Sequence, residues 1–284
     1  MLVHPVFVFL ALLPLSGANN GFNIRREYNL TLAYAKNSSS IILVNNQFPG
    51  PIIRANIHDL LVIHVRNDLA TDEELTIHFH GMLQRQTPQM DGVGFVTQMP
   101  IARGQTFTHT FHAYPAGTHM YHSHAGLQAI TTVGALIVHD PFRPWEPVEV
   151  PSGPLMISDH WNNIDRLTQE TDLVDSPFIW PGEPSHLLFN GQNNFILTLD
   201  PGKKYLLRLI GAMSLSTVVF GIRDHPMTVV EVDGKLIVPR PNMTSIEIAS
   251  GQRYAVIIET KNQFRGVFAM QASIRWRISA ANSR

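Results

Sequence analysis

Leu75-Thr-Ile-His-Phe-His-Gly81 and Gly117-Thr-His-Met-Tyr-His-Ser-His124 each carry a His-x-His pair inside a short segment bounded by turn residues. In an extended strand successive side chains point to opposite faces, so residues i and i+2 share a face about 6 to 7 Å apart. His78 and His80 therefore present two imidazoles to one side of a sheet, and His122 and His124 present two more. Two such strands side by side gather four neutral nitrogen donors and no thiolate. That donor set suits copper, and to a lesser degree zinc, iron or nickel. One pair would be weak evidence, because half-buried strand histidines are common. Two pairs in matching contexts point to a metal site.

Outward from these pairs, short apolar-alternating segments recur with Pro and Gly between them. Tyr28–Tyr34, Ile41–Val44, Leu60–Val65, Gln105–Phe111 and Gly134–Val138 read as strands of the first half. Such spacing, without a long helical period, predicts an all-β sandwich or barrel. Residues 143–154 are rich in proline and cannot continue a central strand, so they read as a connection between domains. The second half repeats the style in Leu155–Ser158, Lys204–Ile210, Met227–Val232, Ser245–Ile248 and Arg253–Ile258, with one more segment from Phe268 to Trp276. Asp233-Gly234 is a hairpin signal. The predicted organisation is a leader at 1–18, a first domain at 19–142, the connection at 143–154 and a second domain at 155–284, expected to stop early.

The chain has 284 residues, 44% of them hydrophobic and 15% charged, with a net charge of -1. This composition fits globular domains and gives no electrostatic footprint for nucleic acid. Val6 to Leu15 followed by Ser16-Gly17-Ala18 reads as a secretory leader, and a buried N-terminal strand is the competing reading. No later run approaches the roughly 18 apolar residues of a membrane span. Asn29, Asn37 and Asn242 head Asn-x-Ser/Thr sequons, which fit a secreted, extracellular glycoprotein. There is no cysteine, so core burial alone must hold the domains.

Taken together, several motifs resemble those of the laccase-type multicopper oxidases, within them the invertebrate laccases. In the first half they are Asn45-Asn-Gln-Phe-Pro-Gly-Pro51, Asn67-Asp-Leu69, His78-Phe-His-Gly81, Met90-Asp-Gly92, Gln98-Met-Pro-Ile101, Gly117 to His124, and Gly126-Leu-Gln128. In the second they are Leu155-Met-Ile-Ser-Asp159, Asn190-Gly191, Tyr205-Leu-Leu-Arg-Leu-Ile210, His225-Pro-Met-Thr-Val229, Asp233-Gly234 and Ser250-Gly-Gln-Arg-Tyr254. The resemblance implies two consecutive cupredoxin-like, or plastocyanin-like, Greek-key β-sandwich domains with copper as cofactor. It implies that His78 binds a type 2 copper, His80 and His122 one type 3 copper, and His124 the other. The implied reaction is oxidation of phenols, related reductants or metal ions by O2.

In that family a third domain carries four further cluster histidines and a type 1 copper held by a cysteine. A blue-copper site needs a thiolate, and this sequence has none. The expectation is therefore a copper-binding two-domain portion that is inactive in isolation. A non-catalytic secreted copper-binding or matrix protein derived from an oxidase is the alternative. An exposed edge of the second domain would favour self-association or pairing with another domain.

Met99 stands where the family usually has a cysteine, Gln89 where many relatives have an aromatic, and His58-Asp59 replaces a Gly-Asp turn. His119 is at odd spacing from His122 and should face away from the pairs. His109 reads as a core histidine and His112 as solvated. His58 and His64 read as edge side chains, and His160, His186 and His225 as singletons. For Asp91 two roles stay open, a turn carboxylate or an outer acid near the metal. Asp159 and Glu231 read as structural. Ser123 lacks the setting of a nucleophile.

Overall fold

The computed structural model describes residues 23–142, 147–162, 165–262 and 266–275; the leader at 1–18 and the residues from Trp276 onward lie outside the described residues. The first domain consists of β1 (Arg25–Tyr34), β2 (Ile42–Val44), β3 (Gly50–Asn56), β4 (Leu60–Asn67), β5 (Ile77–His80), β6 (Thr106–His112), β7 (Gly117–Ser123) and β8 (Val133–His139). They form two four-stranded sheets, β2-β1-β4-β6 and β3-β8-β7-β5. Leu30, Leu61, Ile63 and Phe111 from one sheet pack against Ile53, Phe79, Tyr121 and Leu136 from the other. Alternation produces this core, because each strand sends every second apolar side chain inward.

The second domain follows with β9 (Val148–Glu149), β10 (Leu155–His160), α1 (Arg166–Val174), β11 (His186–Phe189), β12 (Lys204–Gly211), β13 (Val218–Ile222), β14 (Met227–Val232), β15 (Lys235–Met243), β16 (Ile246–Ile248), β17 (Arg253–Glu259) and β18 (Met270–Ile274). A seven-stranded sheet, β11-β10-β12-β17-β14-β15 with β9 beside β12, faces the three-stranded sheet β16-β13-β18. Leu155, Leu207, Leu209 and Val256 meet Val218, Phe220 and Ile248 in its core. Within 147–154, Val148 and Glu149 pair in parallel with Tyr205 and Leu206. Asp233 and Gly234 both take positive φ, 50° and 79°, as a tight hairpin turn between β14 and β15 requires. No helix among the described residues is long and apolar enough to cross a membrane. Asn29, Asn37 and Asn242 are all exposed.

The two domains meet through the outer face of the β7–β8 sheet. Met120, Val133, Ala135 and Ile137 pack on Met156, Ile210 and Ala212, with Phe48 alongside. Beside this apolar patch lies a buried polar seam. Thr118 donates its N–H to Glu231 at 2.7 Å and accepts from Arg208 at its hydroxyl (2.9 Å) and from Arg253 Nε at its carbonyl (3.1 Å). The turn at Gly234 comes so close to Gly117 that a Cβ there would sit 2.5 Å from Gly234 Cα.

Candidate metal centre

β5 and β7 are antiparallel neighbours, and His78 lies directly opposite His122 in the register. His80 shares the His78 face by alternation, and His124 follows just beyond the end of β7 on the same side. Phe79 and Tyr121, on the opposite face, are fully buried in the first core and anchor both strands. The four imidazoles gather accordingly. Ring centroids lie 5.6 Å apart for His78–His80, 5.4 Å for His78–His122, 5.7 Å for His78–His124, 5.7 Å for His80–His122 and 6.1 Å for His122–His124.

His78, His80 and His122 are half-buried, and one ring nitrogen from each falls within 4.8 Å of the others. His124 is exposed at the rim and stands outside that tighter set of three. Two of the rings have their far nitrogen committed. His78 Nδ1 bonds the Asp91 carbonyl at 2.7 Å, and His122 Nδ1 bonds the Ser123 carbonyl at 2.8 Å. A carbonyl only accepts, so each Nδ1 carries the proton and each Nε2 keeps its lone pair. Burial, then the Arg253 guanidinium and the other three imidazoles, pull the His80 pKa down to about 3. Burial likewise lowers His122 to about 4, against the opposing pull of its bond to Ser123. Neutral imidazoles with directed lone pairs, half-screened from water, are what a copper ion needs from nitrogen ligands. The residues present fit the group.

Asp91 serves mainly through its backbone, and its carboxylate stands 3.5 Å from His78 Nδ1. The Met90-Asp91-Gly92 turn is itself held by His109, whose Nδ1 bonds the Met90 carbonyl at 3.0 Å. His109 is fully buried between the Phe79 and Phe107 rings, at 4.9 and 4.7 Å. Burial lowers its pKa to about 4, the bond to Met90 opposing. Its folded pKa lies below the unfolded value, so the unfolded chain binds more protons between those two values. Stability is then complete above about pH 6.5 and falls as pH drops towards 4. From pH 6.5 to 5 this one group should remove up to about 2 kcal/mol. Urea midpoints of the metal-free chain across that range should show the slope, and His109→Phe should flatten that part of it.

His119 faces away from the pairs. It is buried, bonds the Pro115 carbonyl through Nε2 at 3.0 Å, and packs against Gly81 and Gly234. His58 takes φ 71°, the conformation a glycine would favour at that turn, and stacks on Tyr114. His64 bonds Thr108 and Glu27; His112 is exposed and bonds the His58 carbonyl. His160 and His186 oppose each other across β10 and β11 and join no group of three metal-ligating side chains among the described residues, and His225 packs edge-on to Phe268. Asp159 receives the N–H groups of Ser214 and Leu215. Met99 is largely exposed.

The second domain touches this centre at two places that the histidine pattern does not reveal. Gly251 passes so near His80 that a Cβ would lie 2.8 Å from its Cε1. Arg253 approaches from the same turn and bonds the Gly251 carbonyl at 2.9 Å. The readable signal for both is the motif Ser250-Gly-Gln-Arg-Tyr254, which spacing alone does not tie to the histidines of the other domain.

Two family models, both described as multicopper oxidase, match residues 27–142 and 152–283. The chain is 37% identical over 246 residues to an L-ascorbate oxidase of Cucumis sativus, covering 76% of this chain and 41% of that protein. It is 33% identical over 237 residues to Laccase-2 of Thanatephorus cucumeris, covering 77% and 39%. Among solved structures, Fet3p, a multicopper oxidase that functions in iron import, matches with TM-score 0.79 at 31% identity, covering 88% of this chain and 48% of that one. A laccase from Botrytis aclada matches with TM-score 0.75 at 32% identity, covering 84% and 47%. The chain spans less than half the length of the curated relatives it matches.

Proposed function

The chain belongs to the multicopper oxidase family, and on that premise we propose that it is the two-domain, copper-holding part of a secreted laccase-like oxidase. His78, His80, His122 and His124 supply the first domain's ligands, the oxidised partner being a phenol, a related organic reductant or a metal ion and the acceptor O2. The observation that carries this reading is the set of three half-buried ring nitrogens within 4.8 Å, on one face of paired strands. Copper, when bound, supplies one-electron redox steps that imidazoles cannot perform. The protein's part is to hold it. The Asp91 and Ser123 carbonyls fix the tautomers of His78 and His122, the second domain closes over His80 at Gly251, and the Asp91 carboxylate lies close enough to hold or pass a proton beside the centre.

These residues include no cysteine, so a thiolate copper site must come from outside them. The 284-residue chain should accordingly bind copper without turning over a phenol and without a thiolate-to-copper blue band. That same feature favours a second reading, a secreted copper-binding protein with no catalytic duty. Joining the chain to a thiolate-bearing partner domain separates the two, since turnover appears only under the first.

Copper titration tests the shared premise. The wild-type chain should hold copper stoichiometrically against a competing chelator, and His80→Ala/His122→Ala should lose that fraction while near-UV dichroism is retained. Equal stoichiometry in the two proteins sinks the assignment.

A further inference from the structure

α1 belongs to the second domain, yet its first residue reaches into the first. The Arg166 side chain is only 5% exposed. Its Nε donates to the Ser40 carbonyl at 3.0 Å, one terminal nitrogen to Glu73 Oε2 at 2.7 Å and the other to Glu170 Oε2 at 2.9 Å. Glu73 accepts the Tyr34 hydroxyl on its other oxygen and a 3.2 Å bond from Gln128 Nε2. The same Gln128 nitrogen donates to the Glu74 carbonyl at 2.9 Å, so the amide oxygen must face the other way. There it accepts the Ser123 hydroxyl at 2.7 Å. Ser123 is buried between the two histidines of the second pair, its N–H tied to the Thr132 carbonyl at 2.9 Å and its own carbonyl accepting His122 Nδ1 at 2.8 Å.

Every hydrogen in this chain has one allowed direction. Turning the Gln128 amide would set its oxygen against the Glu73 carboxylate and the Glu74 carbonyl, three acceptors with no donor between them. Glu73 is held below the usual carboxylate range: burial pushes its pKa up, but the bonds from Tyr34 and Arg166 outweigh it. A second contact seats the same helix on the loop beyond His124, where Glu170 occupies the space that a Cβ on Gly126 would need.

We propose that Arg166 is a positioning residue for His122, acting through Glu73, Gln128 and Ser123, so that docking of the second domain sets how the first presents this ligand. The proposal rests on the copper reading for His122. It goes beyond a stabilising interface ion pair, because it requires the chain to be intact in the middle as well as at the domain boundary.

The test uses the full chain with three substitutions. Gln128→Leu breaks the chain in the first domain and leaves the Arg166–Glu73 pair in place; Arg166→Met breaks it at the boundary; Arg54→Gln removes a different interdomain pair, with Glu149 at 3.1 Å, that does not lead to Ser123. Nitrogen-15 imidazole spectra of the metal-free proteins report the His122 tautomer, and chelator competition reports copper affinity. Gln128→Leu and Arg166→Met should both mix the tautomers and weaken copper by roughly 10- to 100-fold, the cost of losing an outer partner of a metal ligand. Arg54→Gln should do neither. Wild-type tautomer and affinity in folded Gln128→Leu would overturn the proposal, as would a loss that Arg54→Gln shares equally. If His122→Ala leaves copper binding unchanged, it is the copper reading that fails, and the tautomer in metal-free protein still decides the role of Arg166.

Discussion

Replacing Glu231 with alanine should cost about 3–5 kcal/mol of stability, the range for stripping one partner from a buried charge pair. Glu231 is 1% exposed and takes the Thr118 N–H at 2.7 Å, with its second oxygen 3.6 Å from Arg208. Arg208 is as deeply buried; it crosses the seam to Thr118 and stands 4.0 Å from Glu149 of its own domain. Alanine would leave a backbone donor without its acceptor and a guanidinium short of its nearest buried countercharge. Either is expensive away from water, and the second decides the size of the effect. Glu231→Gln keeps an acceptor for Thr118 and removes only the charge, so it should cost clearly less. Urea unfolding of both variants gives the comparison. A loss below about 1 kcal/mol for the alanine variant would mean that water or a shift of Arg208 replaces the carboxylate. The intact pair need not add much net stability over an apolar seam. Its consequence is geometric, since Thr118 lies on β7, the strand that carries His122.

That seam marks where sequence ceases to speak. Strand alternation located most strands of both sandwiches, because each buries every second residue and repeats the signal over several positions. His-x-His carried the centre for the same reason, since the period of a strand converts spacing into a shared face. What it could not give was the register that sets His78 opposite His122, which comes from pairing between segments far apart in the chain. The helix α1 was invisible for a different cause. Its buried positions are Arg166 and Gln169, whereas Leu167 and Val174 are exposed, so its apolar residues trace no core-facing stripe. Asp165 caps it by accepting the Thr168 N–H. β15 holds Pro239 and Pro241, which a central strand would not tolerate; it lies at the sheet's edge, where one side needs no ladder bonds. Arg208 and Glu231 each interrupt an apolar strand, but nothing local names a partner that lies in the other domain.

Gly92→Ala should damage fold and metal binding together. Gly92 sits at φ 82°, and a Cβ there would fall on the Ile77 carbonyl oxygen and 2.9 Å from the His78 nitrogen. These are backbone atoms of β5, the strand that carries two of the four histidines, and they cannot rotate aside. Gly104 provides the contrast at φ 73°, with nothing within 4 Å of a built Cβ. Gly104→Ala should therefore pay only for the left-handed backbone, about 1–2 kcal/mol. Gly92→Ala adds a collision that β5 or the turn must yield to, for a total of about 3–5 kcal/mol. Whichever yields, the Asp91 carbonyl moves relative to His78 Nδ1, which it now meets at 2.7 Å. Copper affinity should drop by roughly 10- to 100-fold at temperatures where the variant remains folded. Thermal unfolding of the two alanine variants, followed by chelator competition at low temperature, separates collision from conformation. Equal costs at the two glycines would mean that the turn relaxes freely. Retained affinity in Gly92→Ala would mean that His78 does not depend on Asp91 for its orientation.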